Sequence, residues 1–231
     1  MISKLRKLFY VAPIKTLWFN FRFFPLHQAY KLPVVLSRNV IVTNCYRGFC
    51  KFCGGGVKTG ILQFGLGDLN FNVKQKGRLC IKGKLIIKGS NTHSFGVGTN
   101  LSIGSSGVLT LGDNFTASAN NRISCSCAIT VGDDNMWSFD NVIMDSDTHQ
   151  ICDENGNVTN FNKPIFLGNH VWLGCRSIIM KGSEIADGCM IASGSKIAGH
   201  YEEKNCIITS QKKIIKNNIY WKRNWAINEN K

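Results

Sequence analysis

From Leu167 onward an aliphatic side chain stands at every sixth position: Leu167, Leu173, Ile179, Ile185, Ile191 and Ile197. The residue after each is small (Gly168, Gly174, Ala186, Ala192, Ala198), Met180 being the exception. Four positions after each aliphatic comes another small or β-branched side chain: Val171, Ser177, Ser183, Cys189 and Ser195. Helices place like faces about 3.6 residues apart and strands about 2, so neither yields this period. The pattern predicts a solenoid in which each hexapeptide supplies one short strand and one corner. The aliphatic points to the axis, and the small residues admit tight corners. The same lattice recurs upstream at Val131, Trp137, Ile143 and His149, and at Val97, Ile103, Leu109 and Phe115, with a rougher coil hinted at by Val73, Leu79 and Leu85.

Between His149 and Ile165 the polar, turn-rich run QICDENGNVTNFNKP interrupts the lattice. Its residues cannot fill core positions, so 150–164 is read as a loop thrown out from the solenoid beside a lattice histidine, a natural wall for a site. The division that follows is a basic, aromatic N-terminal extension and irregular, Gly-rich first coil over 1–72, a repeat domain over 73–200, and a basic C-terminal cap over 201–231, expected to be helical. The predicted class is mainly β, a solenoid of hexapeptide repeats with helical N- and C-terminal extensions.

Charge changes the picture next. The chain of 231 residues carries 28 basic and 14 acidic side chains, a net charge of +14, which favours an anionic partner. No homeodomain, zinc-finger or RNA-binding signature is present, so nucleic acid is not expected. Residues 1–31 hold six basic residues, no acid and many aromatics, with Lys4, Arg6, Lys7, Lys15 and Arg22 interleaved with Trp18, Phe19, Phe21 and Phe23. That composition suits peripheral contact with the anionic inner face of a membrane, or a helix packing subunits together. Lys15 and Arg22 break the N-terminal apolar run below the ~20 residues of a membrane span, and no cleavable leader is legible. A cytoplasmic chain then keeps its ten cysteines reduced. Cys45, Cys50 and Cys53 have zinc-like spacing but no second ligand pair follows, so no metal is expected and the thiols are read as small buried side chains.

The chemistry concentrates in NVIMDSDTHQI, which sets Asp145, Asp147 and His149 within five residues. A histidine, with an ordinary pKa near ~6.5, accepts a proton at neutral pH, and positioned base catalysis contributes roughly 10²–10⁴-fold. If the segment is extended, Asp147 and His149 share a face, and Asp147 would orient the imidazole while Asp145 binds acceptor hydroxyls. The competing reading is a histidine satisfied in the core, because His149 falls on the inward lattice. His93 lies in a polar stretch without this pattern, and His170 is expected beside the lattice and exposed.

The pieces DSDTHQI, KPIFLGNHVWLGCRSIIMKGSEIADGCMIASGSKI and KIIKNNIYW keep the order and spacing of the hexapeptide-repeat acyltransferases, and the chain resembles in particular those that O-acetylate bacterial capsule or O-antigen sugars. The resemblance implies a left-handed parallel β-helix, although parallel crossovers are as a rule right-handed. It also implies a homotrimer and acetyl transfer from acetyl-coenzyme A. Carried over to this sequence, His149 takes the catalytic position, Trp172 the aromatic wall beside cofactor or acceptor, and Gly174, Cys175, Ser193 and Gly194 the corner positions that meet the pantetheine arm. The tail TSQKK replaces the family's GNPAK-like segment, leaving Lys196, Lys212 and Lys213 as candidates for the coenzyme A phosphates. The function this implies is O-acetylation of a surface glycan or its lipid-linked precursor. The alternatives are N-acetylation of a nucleotide-linked amino sugar and a non-catalytic solenoid that binds membrane or proteins.

Overall fold

The computed structural model describes residues 10–67, 74–210 and 213–223. Val73 and Lys212 fall outside them. A helix α1 (Pro13–Phe23) and a short α2 (Leu26–Ala29) precede seven coils of three strands each. The first three coils are β1 (Val34–Leu36), β2 (Val40–Thr43) and β3 (Cys50–Cys53); β4 (Leu62–Gly67), β5 (Gly77–Ile81) and β6 (Lys84–Lys88); and β7 (His93–Gly96), β8 (Asn100–Ile103) and β9 (Val108–Leu111). The fourth and fifth are β10 (Thr116–Ala117), β11 (Arg122–Cys125) and β12 (Ala128–Val131), then β13 (Met136–Trp137), β14 (Val142–Met144) and β15 (Ile165–Leu167). The last two are β16 (Trp172–Leu173), β17 (Ile178–Met180) and β18 (Glu184–Ile185), then β19 (Met190–Ile191), β20 (Lys196–Ile197) and β21 (His200–Tyr201), followed by β22 (Ile207–Thr209) and β23 (Lys213–Lys216).

Every third strand stacks on the last, so the coils build three parallel sheets: a first from β1 to β22, a second from β2 to β20 and a third from β3 to β21. The result is a left-handed parallel β-helix of triangular section. The sequence lattice is its core. Leu167, Leu173, Ile179, Ile185, Ile191 and Ile197 are all fully buried, as are Val131, Trp137 and Ile143. In-register inward residues form columns, among them Leu79, Leu101, Ile123, Ile143, Ile179 and Ile197 along the second sheet. Phe64, Phe95, Phe115 and Trp137 stack along the axis at centroid distances of 4.6, 5.3 and 4.8 Å.

Corners need left-handed backbone. Asn114, Asn120, Asp134 and Asp140 supply it with φ of 56, 61, 57 and 60°, which short polar side chains tolerate best after glycine. Between the third and first sheets these corners are riveted from coil to coil. Asp113 N–H donates to Asp133 Oδ1 (2.7 Å), Asp133 N–H to Asn169 Oδ1 (2.8 Å) and Asn169 N–H to Asp187 Oδ1 (2.8 Å).

The two ends differ from expectation. The solenoid begins at Val34, not at residue 73. The longer irregular corners of the first coils break the six-residue period, so the pattern does not reveal them. Helix α1 covers the open edge of β1 with side chains: Asn20 Nδ2 donates to Val34 O (2.7 Å), Val34 N–H to Asn20 Oδ1 (3.1 Å) and Leu36 N–H to Thr16 Oγ1 (3.1 Å). Without these bonds the edge strand would expose unpaired backbone groups. At the other end the expected C-terminal helix is absent from the described residues. Residues 213–216 instead form β23, antiparallel to β22, because that edge offers ladder partners an isolated helix lacks.

Beyond β23 the tail doubles back along the corner between third and first sheets. Trp221 stacks on His170 at 3.8 Å between ring centroids, and its indole N–H donates to His170 O (2.9 Å). Arg223 reaches down to Asp134 Oδ1 (2.7 Å), Thr116 Oγ1 (2.6 Å), Asn114 O (3.1 Å) and Asn135 O (2.9 Å). Burial opposes ionisation of Asp134, but hydrogen bonds from His170 and Arg223 outweigh it and hold its pKa below the ordinary 3.8. A depressed carboxylate contributes stability that is complete above its unfolded pKa and is lost as pH falls through the folded one. Arg223→Ala is expected to cost about 1–3 kcal/mol and to open the tail to protease at neutral pH. In the unmodified chain the tail should become cleavable only below the ordinary carboxylate range. Limited proteolysis across pH checks both.

Candidate active site

After Met144 the chain leaves the second sheet and does not enter the third until Ile165. Asp145 begins the departure. Its side chain is fully buried and accepts from two backbone amides of the coil below, Ser126 N–H at 2.7 Å and Cys127 N–H at 2.8 Å. Burial, followed by the nearby Asp145 charge, pushes the Cys125 thiol up to about 12, so it stays protonated and unreactive. The Asp145 carboxylate is therefore enclosed and occupied by backbone amides, where the sequence led to the expectation of a side chain open to an acceptor. It holds the root of the loop.

Asp147 also departs from the sequence reading. Thr148 adopts φ of 63°, and His149 N–H turns back to Asp147 O (2.8 Å), so the segment is not extended and the two side chains do not share a face. The Asp147 carboxylate accepts instead from Lys181 Nζ (2.5 Å) and Asn160 Nδ2 (2.9 Å), whose bonds hold its pKa below the ordinary value. Lys181 also donates to Asn160 O (3.0 Å) and Phe161 O (3.2 Å). Asp147 and Lys181 thus clamp the returning arm of the loop onto the sixth coil. Nothing in the repeat marked Lys181 or Asn160, because their partners are distant in sequence.

His149 is exposed, and its ring makes no hydrogen bond among the described residues. It stands off the core lattice, which the loop interrupts between Ile143 and Ile165, so the core reading does not apply to it. The histidine buried in the core is His93, with Nε2 2.7 Å from Gly112 O. His170, expected to be exposed, is half-buried under Trp221 and lies 2.7 Å from Asp134. Around His149 the loop and the fourth coil enclose a cleft of about 450 Å³, lined by Ser126, Ser146, Val158, Asn160, Phe161 and Asn162 among others. Its lining mixes hydroxyl and amide groups with one aromatic, a surface suited to a polyhydroxylated ligand.

The other candidates gather at a different corner, between the first and second sheets. Gly174 and Cys175 lie directly below Ser193 and Gly194: Gly174 N–H donates to Ile191 O and Gly194 N–H to Cys175 O, each at 2.8 Å. A Cβ on Gly174 would come within 2.6 Å of Ile191 O and Ser193 N, so only glycine permits this stacking. Ser193 and Gly194 are exposed, and open space surrounds the Cβ direction of Gly194. The small residues leave a strip that fits a narrow, amide-bearing arm such as pantetheine. Trp172 faces outward on the first sheet between Met136 and Met190, its indole N–H on Ser138 Oγ at 3.2 Å and its ring 6.0 Å from Trp221. Lys196 and Lys213 are exposed on the last coils.

Within one chain the His149 cleft and the Trp172–Gly194 corner are therefore separated by the width of the second sheet. That sheet's outer surface is apolar at this height: Val142, Met144, Ile178 and Met180 point outward, and Ile178 is 37% exposed. No group of three or more His, Cys, Asp or Glu side chains placed to hold a metal occurs among the described residues.

Comparison with known proteins agrees with the repeat. Residues 164–199 match the sequence profile of the bacterial transferase hexapeptide (six repeats). Galactoside O-acetyltransferase of Escherichia coli (strain K12) is 35% identical over 88 residues, 37% of this chain, and the match spans only 42% of that relative. Among solved structures, the polySia-specific acetyltransferase NeuO aligns with a TM-score of 0.53 at 22% identity over 80% of this chain and 90% of that one. The polysialic acid O-acetyltransferase OatWY gives 0.52 at 22% identity over 82% and 90%. Residues 164–199 thus carry hexapeptide repeats like those of bacterial transferases, on a solenoid that O-acetyltransferases of known structure share.

Proposed function

We propose that the protein transfers an acetyl group from acetyl-coenzyme A to a hydroxyl of a surface glycan or its precursor, with His149 as general base. The observation that carries this reading is an exposed imidazole, without a hydrogen-bond partner among the described residues, in a hydroxyl- and amide-lined cleft. A sugar hydroxyl is a weak nucleophile toward a thioester because its proton must leave as the new bond forms. On this reading His149 takes that proton and returns it to the departing thiolate of coenzyme A. Gly174, Cys175, Ser193 and Gly194 would seat the pantetheine arm against Trp172, with Lys196, Lys212 and Lys213 toward the phosphates. The similarity to galactoside O-acetyltransferase supports hydroxyl over amine as the acceptor, and the net charge of +14 suits an anionic glycan.

The test is release of free thiol from acetyl-coenzyme A in the presence of capsule-type sugars, followed by alkali treatment of the product. Acceptor-dependent release giving an alkali-labile ester is expected. An alkali-stable amide, or no acceptor dependence, would overturn the reading.

The separation of base from cofactor corner makes a single chain incomplete. A homotrimer packed through the apolar outer face of the second sheet would bring the His149 cleft of one subunit toward the Trp172 corner of the next. Sedimentation at working concentration is expected to show a trimer, and Ile178→Lys is expected to release inactive monomers. An active monomer would end this idea.

A further inference from the structure

Charge is distributed unevenly along the sequence. Of the 28 basic residues, 16 lie in residues 1–112, and of the 14 acidic residues only Asp68 does. In a solenoid the coils stack in chain order, so a polarity in sequence becomes a polarity in space. The N-terminal end of the prism is strongly positive, while the half that carries the His149 loop is close to neutral.

The same end displays apolar surface of a defined shape. Helix α1 buries Thr16, Phe19, Asn20 and Phe23 against the first coil. Its opposite face carries Ile14, Leu17, Trp18 and Phe21, which follow helical spacing and are 84, 46, 50 and 39% exposed. Beside them runs an open groove of about 940 Å³, walled by Ile14, Trp18 and Ile41, with Lys15, Arg38 and Lys76 at its sides. Arg38 and Lys76 are exposed, whereas Lys15 is turned onto the Arg38 and Val40 carbonyls.

We propose that this end of the molecule is a docking surface for an anionic lipid membrane. The outward stripe of α1 would lie in the interface plane, and Arg38 and Lys76 would meet acidic headgroups. A helix with one apolar stripe and cationic flanks is the form that binds such an interface without crossing it. None of the described helices is long and apolar enough to span a bilayer. Charge decides against a second copy of this chain as the occupant, because pairing two such ends would set cationic surfaces against each other. On the functional reading above, docking has a consequence for the acceptor. The His149 loop leaves the fifth coil, four strand spacings above the first, so it would stand roughly 19 Å above the membrane-facing coil. That height suits a glycan still attached to a membrane anchor.

The experiment is co-sedimentation of the full chain with vesicles of phosphatidylcholine alone and with about 30% phosphatidylglycerol. We expect partitioning at least about tenfold stronger on the anionic vesicles, declining as salt rises from about 0.05 to 0.5 M. Trp18→Ser/Phe21→Ser should weaken it about fivefold or more, and Arg38→Glu/Lys76→Glu about tenfold. Both variants should keep the melting temperature and the rate on a soluble acceptor. Equal binding to both vesicles, no binding, or unaltered binding by both variants would overturn the proposal. So would a Trp18→Ser/Phe21→Ser variant that binds vesicles normally but changes oligomeric state, which would make the stripe a subunit contact. Vesicle binding is read without turnover, so its failure is distinguishable from failure of the acetyl-transfer reading.

Discussion

Replacing His149 with alanine is expected to lower turnover by at least about a hundredfold while leaving melting temperature and oligomeric state unchanged. The second half of that expectation rests on exposure. His149 is exposed on the loop, outside the buried column that runs through Ile143 to Ile179, so its truncation opens no cavity. Coenzyme A affinity should change little, because the residues proposed to hold it sit at another corner. Full turnover in folded His149→Ala would place the base elsewhere. Asp147→Asn should give a smaller loss by a different route. Its carboxylate touches Lys181 and Asn160, not the imidazole, so it acts as a positioning residue for the loop. Lys181→Met should reproduce the effect, with KM for the acceptor raised more than kcat is lowered. If Asp147→Asn lowers kcat alone while Lys181→Met is silent, the carboxylate acts directly on the chemistry.

The second large effect is expected at Asp145. Asp145→Ala leaves the Ser126 and Cys127 amides without their acceptor beside the buried Cys125, at a cost of about 2–5 kcal/mol. Melting should fall by roughly 5–15 °C for a chain of this size. Asp145→Asn should recover part of the loss, since an amide offers one accepting oxygen but turns a donor toward the second N–H. Unchanged melting with a raised KM for the acceptor would restore the acceptor-binding role the sequence suggested. Differential scanning calorimetry beside acceptor titration separates the outcomes.

These two aspartates show where sequence reasoning stops. Asp145 and Asp147 look alike in NVIMDSDTHQI, and alternation would place both on the face of His149. One positive φ, at Thr148, removes that premise, and the carboxylates are claimed by the adjacent coils and, for Asp147, also by Asn160 of the loop itself. The histidines divide for a related reason. A position on the six-residue lattice implied an inward His149, but the lattice carries no information once the chain leaves the solenoid. His93, in a stretch that reads as polar, is enclosed because it takes an inward position at the start of β7, as Phe95 does two residues on.

The hydrophobic pattern by itself determined the solenoid from the third coil onward, its inward column and the loop at 150–164. Each of these follows from one local rule, a six-residue period kept or broken. Family resemblance added the left hand and the corner proposed to hold the cofactor. Only the tertiary structure decided that the helix begins at Val34, that Thr16 and Asn20 close its first edge, and that the tail is a strand and strap held by Trp221 and Arg223. It also decided that His149 is exposed in a cleft while the Asp145 and Asp147 carboxylates bond to the loop and its neighbouring coils. The physical reason is common to all of these. They depend on which backbone groups and charges remain unsatisfied after the coils have stacked, a property set in large part by neighbours as far as 109 residues apart in the chain.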